Sequence, residues 1–202
     1  DTTRLPELVS TGTRLPAAAG GNVSSEGVLT RREIDQRTLR FVADALRDQP
    51  GAALVQSGPV GSQASLFMRG GNSDYVKVLV DGIPMNQPGG LFNFANLTTD
   101  NVERIEVLRG PASVLYGSDA MTGVVQLFTR RGAGRPKLAL SGLGGTWGSS
   151  QFGFDASGGT GRLGFSGSLG RVASNGVFDV NNDYRNTVGS GRIDVAPAAG
   201  TR

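Results

Sequence analysis

Two segments late in the chain alternate apolar with small or polar residues for about the length of a tilted bilayer-crossing strand, and no other feature narrows the fold as far. In the first, Phe152, Phe154 and Ala156 alternate with Gln151, Gly153, Asp155 and Ser157; in the second, Leu163, Phe165 and Leu169 alternate with Arg162, Gly164, Ser166 and Ser168. A period of two puts one set on each face of a strand, and a transmembrane β-strand needs roughly 9–11 such residues. The turn between them, around 158–161, is tight. The next link, 172–187, is long and polar and precedes a third expected strand over 188–196. Short turns at one end and long loops at the other are the pattern of an outer-membrane barrel. A water-soluble β-sandwich alternates in the same way, so the pattern alone leaves both open.

Composition agrees with strands and turns: 32 glycines, 6% aromatic and 18% charged residues, without a collagen-like triplet. Cysteine and histidine are both absent, which excludes disulfides, thiolate or imidazole metal sites and His-dependent triads. The net charge of +3 is scattered apart from pairs such as Arg31-Arg32 and Arg130-Arg131, which does not point to nucleic acid. No run approaches the roughly 20 apolar residues of a spanning helix, and no charged start with an apolar run opens the chain. If the protein is exported, its signal peptide is expected to have been removed already.

Residues 1–22 hold Pro6, Pro16 and several Ser, Thr and Gly and read as a flexible tail. From Leu29 the pattern changes. Thr30 followed by Glu33 is a capping-box signature ahead of Ile34, and a helix over 38–48 would put Leu39, Val42, Ala43 and Leu46 on one face. Strands are expected at 53–56, 65–69, 76–80, 102–109 and 124–129, with a helical turn at 112–116. The mixture makes a small α/β domain over 23–132, followed by strands over 133–202.

Four segments in order carry a resemblance: ELVSTGTR at 7–14, LRDQPGA at 46–52, FMRGGNSDYVKVLVDGIPMN at 67–86 and NVERIEVLRGPASVLYGSDAMTGVVQLFTRRG at 101–132. They resemble the plug domain of TonB-dependent outer-membrane receptors. The resemblance implies an α/β plug followed by the first antiparallel strands of a transmembrane β-barrel in the bacterial outer membrane, with tail and plug reached from the periplasm. It implies that Glu7, Leu8, Val9, Ser10 and Thr11 form a TonB box, an extended peptide that adds as a strand to its partner TonB. It implies also that Arg69 and Arg109 latch the plug to acidic residues of the barrel wall, a role suited to a permanently charged planar fork.

Ligand contact is expected in the loops opposite the tail, from Gln63, Asn72, Tyr75, Asn86, Gln87, Phe92 and Asn93, whose amides and rings suit a large polar ligand. The same residues also fit ordinary solvated loops. Asp179, Asn181, Asn182 and Asp183 supply oxygen donors of the kind that ligate calcium, without the glycine and terminal glutamate of an EF-hand; no other cofactor is expected. The GGNSDYVKVLVDG segment looks nearest to cobalamin transporters, with heme and ferric-siderophore receptors sharing the same words.

The 70 residues after Gly132 supply about four strands. A plugged transporter has about 22, and an open sheet in lipid leaves unsatisfied edges, so the chain alone is not expected to be a working transporter but a fragment, a truncated reading frame or part of a longer polypeptide. Active transport is the leading expectation, against a plug-like binding module that does not transport. An enzyme would have to be built from Asp81, Glu103, Glu106 and Asp119, whose strand and turn positions read as structural.

Overall fold

Thr30 caps its helix as its spacing to Glu33 requires. In a computed structural model, which describes residues 8–9, 11–12, 17–18, 25–178 and 182–195, the Thr30 side chain accepts from the Glu33 N–H and the Glu33 carboxylate accepts from the Thr30 N–H. The element order is β1 (Leu8–Val9), β2 (Ala17–Ala18), β3 (Ser25–Thr30), α1 (Arg31–Gln36), α2 (Val42–Arg47), β4 (Ala52–Gln56), β5 (Ala64–Met68), β6 (Val76–Val80), β7 (Ile83–Pro84), β8 (Val102–Arg109), α3 (Ser113–Tyr116) and β9 (Gly123–Thr129). Then follow β10 (Lys137–Gly144), β11 (Ser150–Thr160), β12 (Leu163–Ser174) and β13 (Tyr184–Val195).

The α/β domain is built on a mixed five-stranded sheet in the order β3-β8-β9-β6-β7, in which only β6 and β9 run parallel. One face carries Val76, Val78, Ile105, Val107, Val125 and Leu127 into the main core, with α1, α2, the β4–β5 hairpin and Phe94. The other face buries Leu79, Leu108 and Val124 under Ala112, Ala120 and Tyr116. Both faces of β8 and β9 are covered, which explains why β9 is nearly continuous apolar sequence.

The second helix is shorter than its periodicity suggests. Thr38 takes a left-handed φ of 51° and Phe41 is extended and bridges Thr98, so the chain enters the helix only at Val42.

β10–β13 form an antiparallel meander. The β11–β12 turn is Gly161-Arg162, while 175–183 separate β12 from β13, so both strands run further than their sequence pattern suggests. One face of this sheet exposes Leu140, Phe152, Leu169, Ile193 and Val195. The opposite face turns Ser166, Val172 and Tyr184 inward, where they are buried, and the Ser166 hydroxyl donates to the Arg130 carbonyl of the α/β domain at 2.6 Å.

Candidate functional site

The N-terminal segment is docked at Thr11, which is 1% exposed. Glu106 and Gln126 are register partners on β8 and β9 and put two polar side chains on the face that the main core does not use. Thr11 closes over them. Its N–H and hydroxyl donate to Glu106 Oε2 at 2.8 and 2.5 Å, and its hydroxyl also lies 3.3 Å from Gln126 Oε1. The Tyr116 hydroxyl donates to the Thr11 carbonyl at 2.8 Å, and Arg104 Nε, with its guanidinium over the Phe128 ring, donates to Glu106 Oε1 at 2.7 Å. A carboxylate 2% exposed is tolerable only when so engaged. Leu8–Val9 pairs with Ala17–Ala18; Glu7 and Ser10 lie outside the described residues.

Arg69 and Arg109 line one open cleft of about 460 Å³, together with Gly12, Ser25 and Val114. Arg109 donates to the Ser25 and Pro50 carbonyls at 3.3 and 3.1 Å. Arg69 is exposed with a left-handed φ of 48°. Neither forms an ion pair among the described residues. The two arginines thus share a surface that offers cations and supplies no carboxylate.

The three loops that hold the residues expected to meet ligand, 57–63, 71–75 and 84–96, are tied together. The Asn93 side-chain oxygen Oδ1 accepts from the Ala64 and Ala95 N–H groups, each at 3.0 Å, joining the end of the 57–63 loop to the 84–96 loop. Asn86 accepts from the Val78 N–H and donates to the Val76 and Gly90 carbonyls, and Gly90 packs on the Asp74 carbonyl so closely that a Cβ would overlap it. Asn86 and Asn93 therefore staple backbone. Gln63, Asn72 and Gln87 are exposed, Tyr75 is half-buried, and Phe92 packs edge-on against Phe94 at 4.7 Å. Tyr184, at the start of β13, hydrogen-bonds Asn96 at 3.0 Å, so the loop cluster sits at the same end as the 175–183 link.

At the other end of β6, Asp81 holds the two sheets together. Its carboxylate accepts from the Thr129 N–H and hydroxyl and pairs with Arg192 of β13 at 3.0 Å. Arg130 pairs with Asp155 of β11 at 3.6 Å. The sequence reading missed these links, because only the turn-forming role of Asp81-Gly82 is visible locally. A double-mutant cycle of Asp81→Asn and Arg192→Gln, read by denaturant unfolding of the full-length protein, is expected to give a coupling of about 1 kcal/mol. Additive effects would remove the clamp.

The family model for the TonB-dependent Receptor Plug Domain matches residues 20–124. The chain belongs to the TonB-dependent receptor plug family. Over 122 residues it is 37% identical to the Vitamin B12 transporter BtuB of Vibrio vulnificus (strain CMCP6), covering 60% of this chain and 20% of that protein. The pyoverdine outer membrane receptor FpvA of Pseudomonas aeruginosa PAO1 superposes with a TM-score of 0.83 at 20% identity, over 96% of this chain and 28% of the receptor. The ferric yersiniabactin uptake receptor FyuA of Yersinia pestis gives 0.72 at 24% identity, over 87% and 29%. The chain thus spans between a fifth and a third of these relatives, and the structural likenesses support the fold: a plug followed by antiparallel strands.

Within the plug, the acidic residues weighed for catalysis are dispersed. Asp81 and Glu106 are engaged as above, Asp119 is held below the usual carboxylate range by its hydrogen bond from Lys77 at 2.7 Å, and Glu103 is exposed. Asp100, beneath Gly170 of β12, is pushed upward chiefly by burial, with Asp155 adding to the effect. Of the residues expected to ligate calcium, Asp179 and Asn181 lie outside the described residues, while Asn182 is nearly buried and Asp183 exposed.

Proposed function

We propose that this plug and its four strands belong to an outer-membrane receptor that takes up cobalamin in a TonB-dependent manner. The observation that carries the substrate is the 37% identity to a vitamin B12 transporter. Ligand would meet the plug at Gln63, Asn72, Tyr75 and Gln87, whose side chains are not committed to the backbone staples that occupy Asn86 and Asn93. TonB would engage residues 7–11 by strand addition, which uses backbone groups and demands little of side chains. Arg69 and Arg109, sharing one cleft without a carboxylate, suit the latch to acidic residues of a barrel wall. The exposed apolar face of β10–β13 would meet outer-membrane lipid.

The docking of Thr11 supplies a path for force. A pull on residues 7–11 reaches β8 and β9, interior strands of the plug sheet, directly through Glu106 and Gln126, and α3 through Tyr116. Ferric-siderophore uptake is the second reading, favoured by the structural likeness to the pyoverdine and yersiniabactin receptors. Uptake by cells whose only receptor is the full-length protein separates them. Cobalamin is expected to accumulate and to stop doing so when residues 7–11 are deleted, with surface binding retained. Accumulation of a ferric siderophore or heme in place of cobalamin would overturn the substrate, and uptake indifferent to the deletion would overturn the TonB box.

A further inference from the structure

The outer face of β10–β13 carries two cations amid apolar side chains. Gly142, Phe152, Arg171 and Thr187 form one cross-strand row, and Leu140, Phe154, Leu169 and Gly189 form the next. The row on the other side of Arg171, toward the 175–183 link, is Gly144, Ser150, Ala173 and Arg185. Arg171 and Arg185 are therefore diagonal neighbours on one face, about 7–8 Å apart at the backbone. Both are exposed, and neither forms an ion pair or hydrogen bond among the described residues. Below them a groove of about 620 Å³ is lined by Leu140, Phe152, Phe154 and Leu169, with Arg171 and Thr187 at its head.

Position selects the partner. Arg171 stands eight residues along β12 from Leu163, about 26 Å of strand and, at the usual tilt, about 20 Å of membrane depth. That places the arginines at one border of the apolar band, on the side of the ligand loops, where lipid headgroups lie. On this face a barrel strand meets lipid, and the anionic group that membrane lipids most commonly present is a phosphate. Two guanidinium forks offer paired N–H donors that match phosphate oxygens, Thr187 adds a hydroxyl, and the groove accepts an acyl chain.

We propose that Arg171 and Arg185 form a binding site for the phosphate of an acylated membrane lipid whose chain lies in the Leu140–Phe154–Leu169 groove. The site rests on the reading of β10–β13 as membrane strands. It is tested on the full-length protein in detergent by native mass spectrometry with diphosphorylated lipid A as probe. Arg171→Gln with Arg185→Gln is expected to weaken binding by about tenfold or more, Arg171→Lys with Arg185→Lys by less, and removing the lipid phosphates should match the Gln pair. Equal binding by the Gln pair, or by the dephosphorylated lipid, overturns the proposal. So does displacement of the lipid by equimolar inorganic phosphate, which would mark a site for the free anion. A wild-type protein that fails to fractionate with outer membranes would instead overturn the membrane reading beneath it.

Discussion

Glu106→Ala is expected to release the N-terminal segment from the plug in the absence of ligand. The substitution removes the acceptor for the Thr11 N–H and hydroxyl and leaves Arg104 without its carboxylate. Breaking a fully buried ion pair from one side costs roughly 3–5 kcal/mol. Arg104 is 30% exposed and recovers some hydration, so the expected loss of plug stability is about 2–4 kcal/mol. The specific readout is thiol labelling of Gly12→Cys, beside Thr11 and half-buried in the cleft, in the full-length protein. Labelling should be slow in the otherwise native protein and rise by at least tenfold with Glu106→Ala, a change of about 1.4 kcal/mol in the docking equilibrium. Glu106→Gln keeps an acceptor oxygen at the site and should fall between the two. Fast labelling that is unchanged by either substitution would mean that Thr11 does not hold the segment.

The dependence on Glu106 also shows why part of the site was legible in the sequence and part was not. Thr30 and Glu33 lie three residues apart, so their reciprocal cap is visible without any tertiary knowledge, and the alternation in β11 and β12 reports its two faces directly. Thr11 lies 95 residues from Glu106, and in sequence it is one more hydroxyl in a polar tail. Asp81 reads locally as the first residue of an Asp-Gly turn, which it is, with a φ of 49°; its pairing with Arg192 depends on how two sheets meet. Asn86 and Asn93 illustrate the converse. An amide in a loop has the same composition whether it faces a ligand or ties down its own backbone, and only the neighbouring N–H groups decide. β10 is counted among about four expected strands but is not placed, because KLALSGLG breaks its alternation of Leu138 and Leu140 with glycine at 142.

Gly132→Ala should damage assembly far more than Gly134→Ala, although the two lie in the same exposed connection. Gly134 has a φ of 70° and nothing within 4 Å of an added Cβ, so alanine there meets only backbone strain of about 1 kcal/mol. Gly132 does not take a left-handed φ but has no space: an added Cβ would overlap the carbonyl oxygens of Phe165 and Gly158, both backbone atoms of β12 and β11. Gly164 crowds the Gly132 carbonyl in the same way, so the crossing depends on missing side chains from both partners. Backbone cannot rotate aside as a side chain can. Alanine at 132 must separate the plug's exit from β11 and β12, weakening the nearby Ser166–Arg130 hydrogen bond and Arg130–Asp155 pair at a cost of about 3 kcal/mol or more. The outcome is read as the yield of protease-resistant, membrane-assembled full-length protein, which is expected to fall severalfold for Gly132→Ala and little for Gly134→Ala. Equal yields would show that the plug leaves the strands by a looser path than this crossing.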